Sequence, residues 1–240
     1  MTTTTIQWIA LVLCATGTAV RIPGARKGHG RTVFVALVLL TVAVGLSIPP
    51  IYEAADGLLG SVNIANLLLR LALYTVFLLI GVRMAAAFDS PLARRLVVGR
   101  FGVAILALTV AATLYFFVAS ELQGSSTALR AFDDQDTVQQ YAAVGRLYPG
   151  YVAACLVLPA VASALDRGAR TIHRVACALL AGGFSLVVVF VLLRLTTLQL
   201  GAWDILLPFS AILLTVLGLC LIWLSHTLGR RRSTRANRLA

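Results

Sequence analysis

A chain of 240 residues that is 60% hydrophobic and only 12% charged falls outside the composition of water-soluble domains, where about 25% of residues are charged. Its long apolar runs place it among polytopic membrane proteins. The net charge of +11 does not indicate nucleic acid, because the basic residues fall between apolar runs and not on an amphipathic face or among aromatic platforms for bases. All the basic residues are Arg except Lys27, a bias read as genomic base composition. Cys14, Cys155, Cys177 and Cys220 each stand alone inside an apolar run, without a C-x-x-C pair, and read as small packing residues.

A spanning helix needs ~20 mostly apolar residues. Seven segments meet or approach that length in chain order: 4–20, 32–51, 64–86, 101–120, 148–165, 175–194 and 205–225. The fold expected is therefore all-α, a seven-span bundle over residues 1–225 followed by a basic tail at 226–240. The first span has no preceding basic segment and no small-residue cleavage pattern, so it reads as retained and not as a signal peptide. In span two, Thr41, Gly45 and Pro49 recur at four-residue intervals, and spans six and seven carry Ala181, Gly182, Ser185 and Gly218. Small residues of this kind let membrane helices approach closely. Pro159 and Pro208 lie within spans five and seven, where a proline kinks a helix and frees a carbonyl. The one long link, 121–147, breaks at Gly124–Ser126 and then resumes a helical pattern at DDQDT through Val138, Tyr141, Ala142 and Gly145. That spacing predicts a short outer helix extending span five.

The links fix an expected orientation. One side carries Arg21, Arg26, Lys27 and Arg31, then Arg83, Arg94, Arg95 and Arg100, then Arg167, Arg170 and Arg174, and the tail from Arg230 to Arg238. Only Asp89 and Asp166 accompany them. The other side holds Glu53, Asp56, Glu121, Asp133, Asp134, Asp136 and Asp204 beside Arg130, Arg146 and Arg194. The positive-inside rule assigns the first side to the cytoplasm, with the N-terminus outside and the C-terminus inside. The tail reads as a topology anchor with an affinity for anionic lipid. The location expected is the plasma membrane.

Span three contains a charge. In NIANLLLRLALYTVFLLIGVRM, residues 63–84, Arg70 lies inside the apolar run. Burying it costs ~2.5 kcal/mol or more. Residues three and four apart share a helix face, so Asn63, Asn66, Arg70 and Tyr74 form one polar stripe. Such a stripe faces the bundle interior or water. Candidate partners at that depth or above it are Glu53, Asp56, Asp204 and Arg194, and span four offers Thr109, Thr113 and Ser120. Two readings follow from the same residues. One is an inter-helix ion pair that fixes packing. The other is an outer-leaflet pocket for a small ligand or lipid.

Several chemistries are absent. Seven helices invite comparison with microbial rhodopsins, but span seven has no lysine for a Schiff base. His29, His173 and His226 lie at the ends of spans and not in mid-membrane. There is no Gly-rich phosphate loop with Lys and no Cys/His cluster of metal spacing. No catalytic residue, cofactor or metal site is predicted, and the protein is not read as an enzyme. Nor do the halves show the parallel repeat expected of three-one-three sugar carriers.

Two stretches carry a resemblance. IPPIYEAADGLLGSVNIANLLLR and DRGARTIHRVACALLAGGFSLVVVFVLLRL are similar to the second-to-third and fifth-to-sixth helix links of a family of actinobacterial seven-helix membrane proteins described as transporters. In that family an N-[LI]-A turn precedes a long apolar helix, and an Arg-rich turn precedes a small-residue helix ending in L-L-[KR]. Asn63, Asn66 and Arg194 are the matching positions. The resemblance implies an actinobacterial source and a transport role. The residues themselves favour a sensor or partner-regulating module, acting through a separate cytoplasmic protein, with small-solute transport as the alternative.

Overall fold

The computed structural model describes residues 2–122, 124–196 and 201–236, with side chains for 4–122, 124–196 and 201–225. In hydrocarbon every backbone amide must find its partner within the segment, so the apolar runs coil. Nine α-helices and no strands form among the described residues. They are α1 (Thr2–Arg26), α2 (Arg31–Gly45), α3 (Pro49–Leu58), α4 (Ile64–Ala87), α5 (Pro91–Val98), α6 (Arg100–Ala119), α7 (Asp136–Leu165), α8 (Thr171–Arg194) and α9 (Trp203–Ala236). Six stretches are long and apolar enough to cross a membrane, α5 and α6 together making one of them. The bent pair α2–α3 makes seven if it counts as a further span. The chain is an all-α, multi-pass membrane protein.

The expected span 32–51 is not one helix. α2 stops at Gly45, and α3 leaves at 98° to it. The cause is Pro49–Pro50. A proline disfavours helical backbone in the residue before it, and Ile48 is extended, at φ −93° and ψ 121°. Pro49 then starts a new helix, where a missing N–H costs nothing. The other spans lengthen. Span five runs outward without interruption as α7, as the spacing of Val138, Tyr141 and Gly145 predicts. Its N-cap is Gln135, inside the DDQDT stretch. Residues 226–236 of the expected tail continue α9, and 237–240 lie outside the described residues.

The helix contacts close a ring. α1 packs on α2, α2 on α4, α4 on α7, α7 on α8, α8 on α9, and α9 returns to α1. α6 stands outside this ring against α7, and of its residues only Gly102, Thr109 and Thr113 are buried. One end of the ring carries the Arg-rich links; we call it the basic end. The other, the acidic end, is covered by α3 and by residues 120–122 and 124–135. The α8–α9 seam is close because Gly183 and Gly218 permit it. A Cβ on Gly218 would lie 2.8 Å from Leu180 and 3.0 Å from the Ala176 carbonyl oxygen. Gly182, a small residue picked out by the sequence, lies beside this seam, with Leu214 3.5 Å from where its Cβ would be.

Candidate functional site

The acidic end is built around two buried polar side chains. Asp56, on α3, is fully buried. Its carboxylate accepts from the backbone N–H groups of Asn63 and Ala65, each at 3.1 Å, and from the Ser125 hydroxyl at 2.5 Å. It thus caps the start of α4, where the helix dipole favours a negative charge. Asn63 is the N-cap residue by position, but its own side chain is directed elsewhere. Its Oδ1 accepts from the Tyr52 hydroxyl (2.9 Å) and the Ser126 N–H (2.8 Å), and its Nδ2 donates to the Gly124 carbonyl (2.8 Å). Left-handed backbone at φ 60° allows this, a conformation Asn tolerates better than most residues. Asp56 and Asn63 together hold α3, the start of α4 and the 124–126 turn as one block. Glu53, the other acid of α3, is exposed.

About two turns deeper than Asn63 is Arg70. Its Nε donates to Asn66 Oδ1 (3.2 Å) and its Nη1 to the Tyr141 carbonyl (3.0 Å). The guanidinium also lies 3.9 Å from the centre of the Tyr141 ring. The Tyr141 hydroxyl closes the loop by donating to Asn66 Oδ1 at 3.1 Å. No carboxylate forms an ion pair with Arg70 among the described residues; the pair found there is Arg194–Asp204. Arg70 is therefore a strap between α4 and α7 made with neutral oxygens and a ring. It closes over Gly145, where a methyl group would overlap the guanidinium. Hydrogen bonding makes the charge tolerable. Arg83 follows in the same helix, about 20 Å further on at ~1.5 Å per residue, so Arg70 lies inside a ~30 Å hydrocarbon core with its donors held on neutral oxygens. Tyr74 continues the stripe and shares a 2.8 Å hydrogen bond with Thr113 of α6. Thr109 is buried on the same helix, and Ser120 bonds back to the Phe116 carbonyl.

Beside the strap, inside the ring, is a half-enclosed cavity of about 160 Å³. It extends from Gly145, Arg146 and Pro208 at the acidic side to Ile80, Phe184 and Thr215. Its wall is apolar apart from Arg146 and Thr215. Arg146 is half-buried and lies within electrostatic range of Arg70 and Arg194, and of Asp204 and Asp133. Arg194 Nε stands 3.2 Å from Asp204 Oδ1. The angle there is not that of a hydrogen bond, and both atoms keep unused hydrogen-bonding capacity. Three arginines thus face two carboxylates, of which Asp204 is already paired and Asp133 is exposed.

No protein-family model, curated protein or solved structure matches this chain.

The residues singled out by the sequence therefore separate into three groups. Asn63 joins Asp56 in the block at the acidic end. Asn66, Arg70 and Tyr74 do share a face, but their partners are Tyr141 and Thr113. Arg194 pairs with Asp204 near the cavity. Arg146 and Tyr141 were passed over: Arg146 was weighed only as a topology charge, and Tyr141 only as a helical position. The signal available for Arg146 is its place between Gly145 and Pro149 in one helix. Toward the basic end the described residues pack closely. Gly81 of α4 is so tightly faced that a Cβ would stand 2.8 Å from Val152 and 2.9 Å from Val97. Leu156, Ala160, Cys177 and Leu180 are fully buried there.

Proposed function

We propose that this protein is a ligand sensor or partner-regulating module of the plasma membrane, with the acidic end outside and the basic end in the cytoplasm. One observation carries the reading. The cavity reaches the acidic side at Gly145, Arg146 and Pro208, and toward the basic end Leu156, Ala160, Cys177 and Leu180 are fully buried among the described residues. A site of this shape receives a ligand and offers it no onward path. Binding would bias the α7–α8–α9 wall, and α9 extends as a helix to Ala236 through Arg230–Arg235. That basic segment suits anionic lipid or a cytoplasmic protein that carries the output.

A second reading is small-solute transport, in line with the family resemblance. Pro149 and Pro208 favour it. Both line the cavity, and each removes the hydrogen bond to the carbonyl four residues back, at Gly145 and Asp204. Carbonyls freed inside a helix can bind substrates in transporters. The test uses one set of compounds twice: medium-chain alcohols and acids, sugars and amino acids. Thermal unfolding in neutral-lipid nanodiscs reports binding, and uptake into proteoliposomes reports flux. Binding without flux supports the sensor; saturable flux of a bound compound replaces it with the transporter.

A further inference from the structure

Building on the cavity reading above, we infer that the ligand is a single-chain anionic amphiphile. Its head is a carboxylate or phosphate held by Arg146 at the acidic-end rim. Its tail lies in the apolar slot that leads toward Thr215.

Shape restricts the tail. On α4 the slot runs from Leu73 to Ile80, and on α9 from Pro208 to Thr215, which is ~10 Å at ~1.5 Å per residue. Its volume of about 160 Å³ is close to that of a ~150 Å³ apolar cavity that stays dry and admits one benzene. Two acyl chains do not fit, and neither does a drug-sized molecule, which needs a pocket of about 300 Å³ or more. One unbranched chain enters with about the six carbons of that benzene, and the rest of a longer tail projects past the half-enclosed wall. The apolar wall also rejects sugars and amino acids, whose hydroxyl and ammonium groups would be buried without partners.

Charge restricts the head. Arg70 has spent two donors and its face on Asn66 and Tyr141, and Arg194 has Asp204 beside it. Arg146 lines the cavity, lies in the field of both other arginines, and has no carboxylate within ion-pair distance among the described residues. An anionic oxygen relieves that repulsion, and guanidinium binds carboxylate and phosphate through paired N–H donors. At ~28 Å from the end of α7 (residues 147–165 at ~1.5 Å each), Arg146 sits at the depth of lipid headgroups, where an amphiphile's head belongs.

The experiment is a thermal-shift titration in phosphatidylcholine nanodiscs with decanoate, decyl phosphate and decanol. Each methylene in the slot should tighten binding about fourfold, so octanoate serves as a length control. Decanoate or decyl phosphate should bind about tenfold or more tighter than decanol, and Arg146→Gln should erase that preference while decanol binding survives. Asp204→Asn, which frees Arg194, should tighten the acid a few-fold. Ala211→Phe and Val187→Phe, which fill the slot, should abolish binding of all probes. Which of the two acids binds tighter separates a carboxylate from a phosphate head. Equal binding of decanol and decanoate, unchanged in Arg146→Gln, overturns the charged head and leaves the cavity reading intact. No binding by any probe, with both filling variants more stable than wild type, marks the cavity as a packing void and removes both.

Discussion

The two halves of the ring hold the same helices together by different means. Toward the basic end, contact is mainly a matter of shape, Gly81 against Val97 and Val152, and Gly218 against Leu180 and the Ala176 carbonyl, with single hydrogen bonds from Arg21 to the Leu219 carbonyl and from the Tyr151 hydroxyl to the Leu96 carbonyl, each at 2.8 Å. Toward the acidic end, contact is made by directed hydrogen bonds through Asp56, Asn63, Asn66, Arg70 and Tyr141. Shape packing has no alternative arrangement of similar energy, because interiors are dense and a shift of one methylene is felt. A hydrogen-bonded half can exchange partners, with a ligand or with water. The half that contains the cavity is thus also the half able to respond to what fills it.

Four experiments strain this contrast, in decreasing order of effect. Asp56→Ala removes three bonds to a buried carboxylate, each worth ~1.5–3 kcal/mol. It should cost about 4 kcal/mol or more in reversible unfolding from mixed micelles, and it should expose 121–135 to protease. If the loss is below ~1 kcal/mol, the block at the acidic end is not a stabilising unit. Next, Gly145→Ala should cost ~2–3 kcal/mol through overlap with the Arg70 guanidinium. Arg70→Met alone should cost only ~1–2 kcal/mol, since its lost hydrogen bonds are partly offset by the relief of a charge that costs ~2.5 kcal/mol to place there. The double variant should be no worse than Arg70→Met, and the coupling is read from the four-way cycle.

The third experiment applies one kind of change to both halves. Ala160→Leu, in the shape-packed half, should destabilise by ~1–3 kcal/mol. Ala211→Leu, on the cavity wall, should be neutral or stabilising by up to ~1 kcal/mol. Equal losses at both would mean the cavity is not open space. The smallest effects concern two tyrosines. The Tyr148 hydroxyl is buried without a partner, and its ring sits edge-on to Tyr74. Tyr148→Phe should therefore raise stability by up to ~1 kcal/mol, whereas Tyr141→Phe should lose about as much by removing one of the two hydrogen bonds to Asn66 Oδ1. Thermal unfolding of the two single variants under one condition gives the signs.

Much of the fold was legible because a membrane simplifies the code. Apolar runs of span length located α1, α4, α6, α8 and α9, and the 3.6-residue period carried α7 outward from Pro149 to Asp136. The break after Gly45 was also written in the sequence, as Pro49–Pro50, but it was read there as part of a continuous small-residue face. The candidate site was only half legible. Spacing of four put Asn66, Arg70 and Tyr74 on one face. It could not say which helix that face would meet, because partners such as Tyr141 are 71 residues away. Looking for a carboxylate beside Arg70 followed charge alone, whereas the chain satisfies it with a carbonyl and a ring. The capping of α4 by Asp56 was hidden for a similar reason. The capping residue sits in another helix, and local cap rules look only at the position next to the helix.

The sharp bend after α2 has a further consequence, in the dimension across the membrane. Fifteen residues at ~1.5 Å each give α2 a height of ~22 Å against a hydrocarbon layer of ~30 Å. α3 leaves at 98° where that height ends, and Leu58, Leu59 and Val62 stay exposed beside it. α2 is thus shorter than that layer, whereas α4 and α7, at 24 and 30 residues, are longer. Mismatch of this kind costs fractions of a kcal/mol per Å, and in this chain it falls on the α2–α3 corner. Lengthening the acyl chains of the host membrane pulls on the α2–α3 corner, and through Asp56 and Asn63 it pulls on the roof above the cavity.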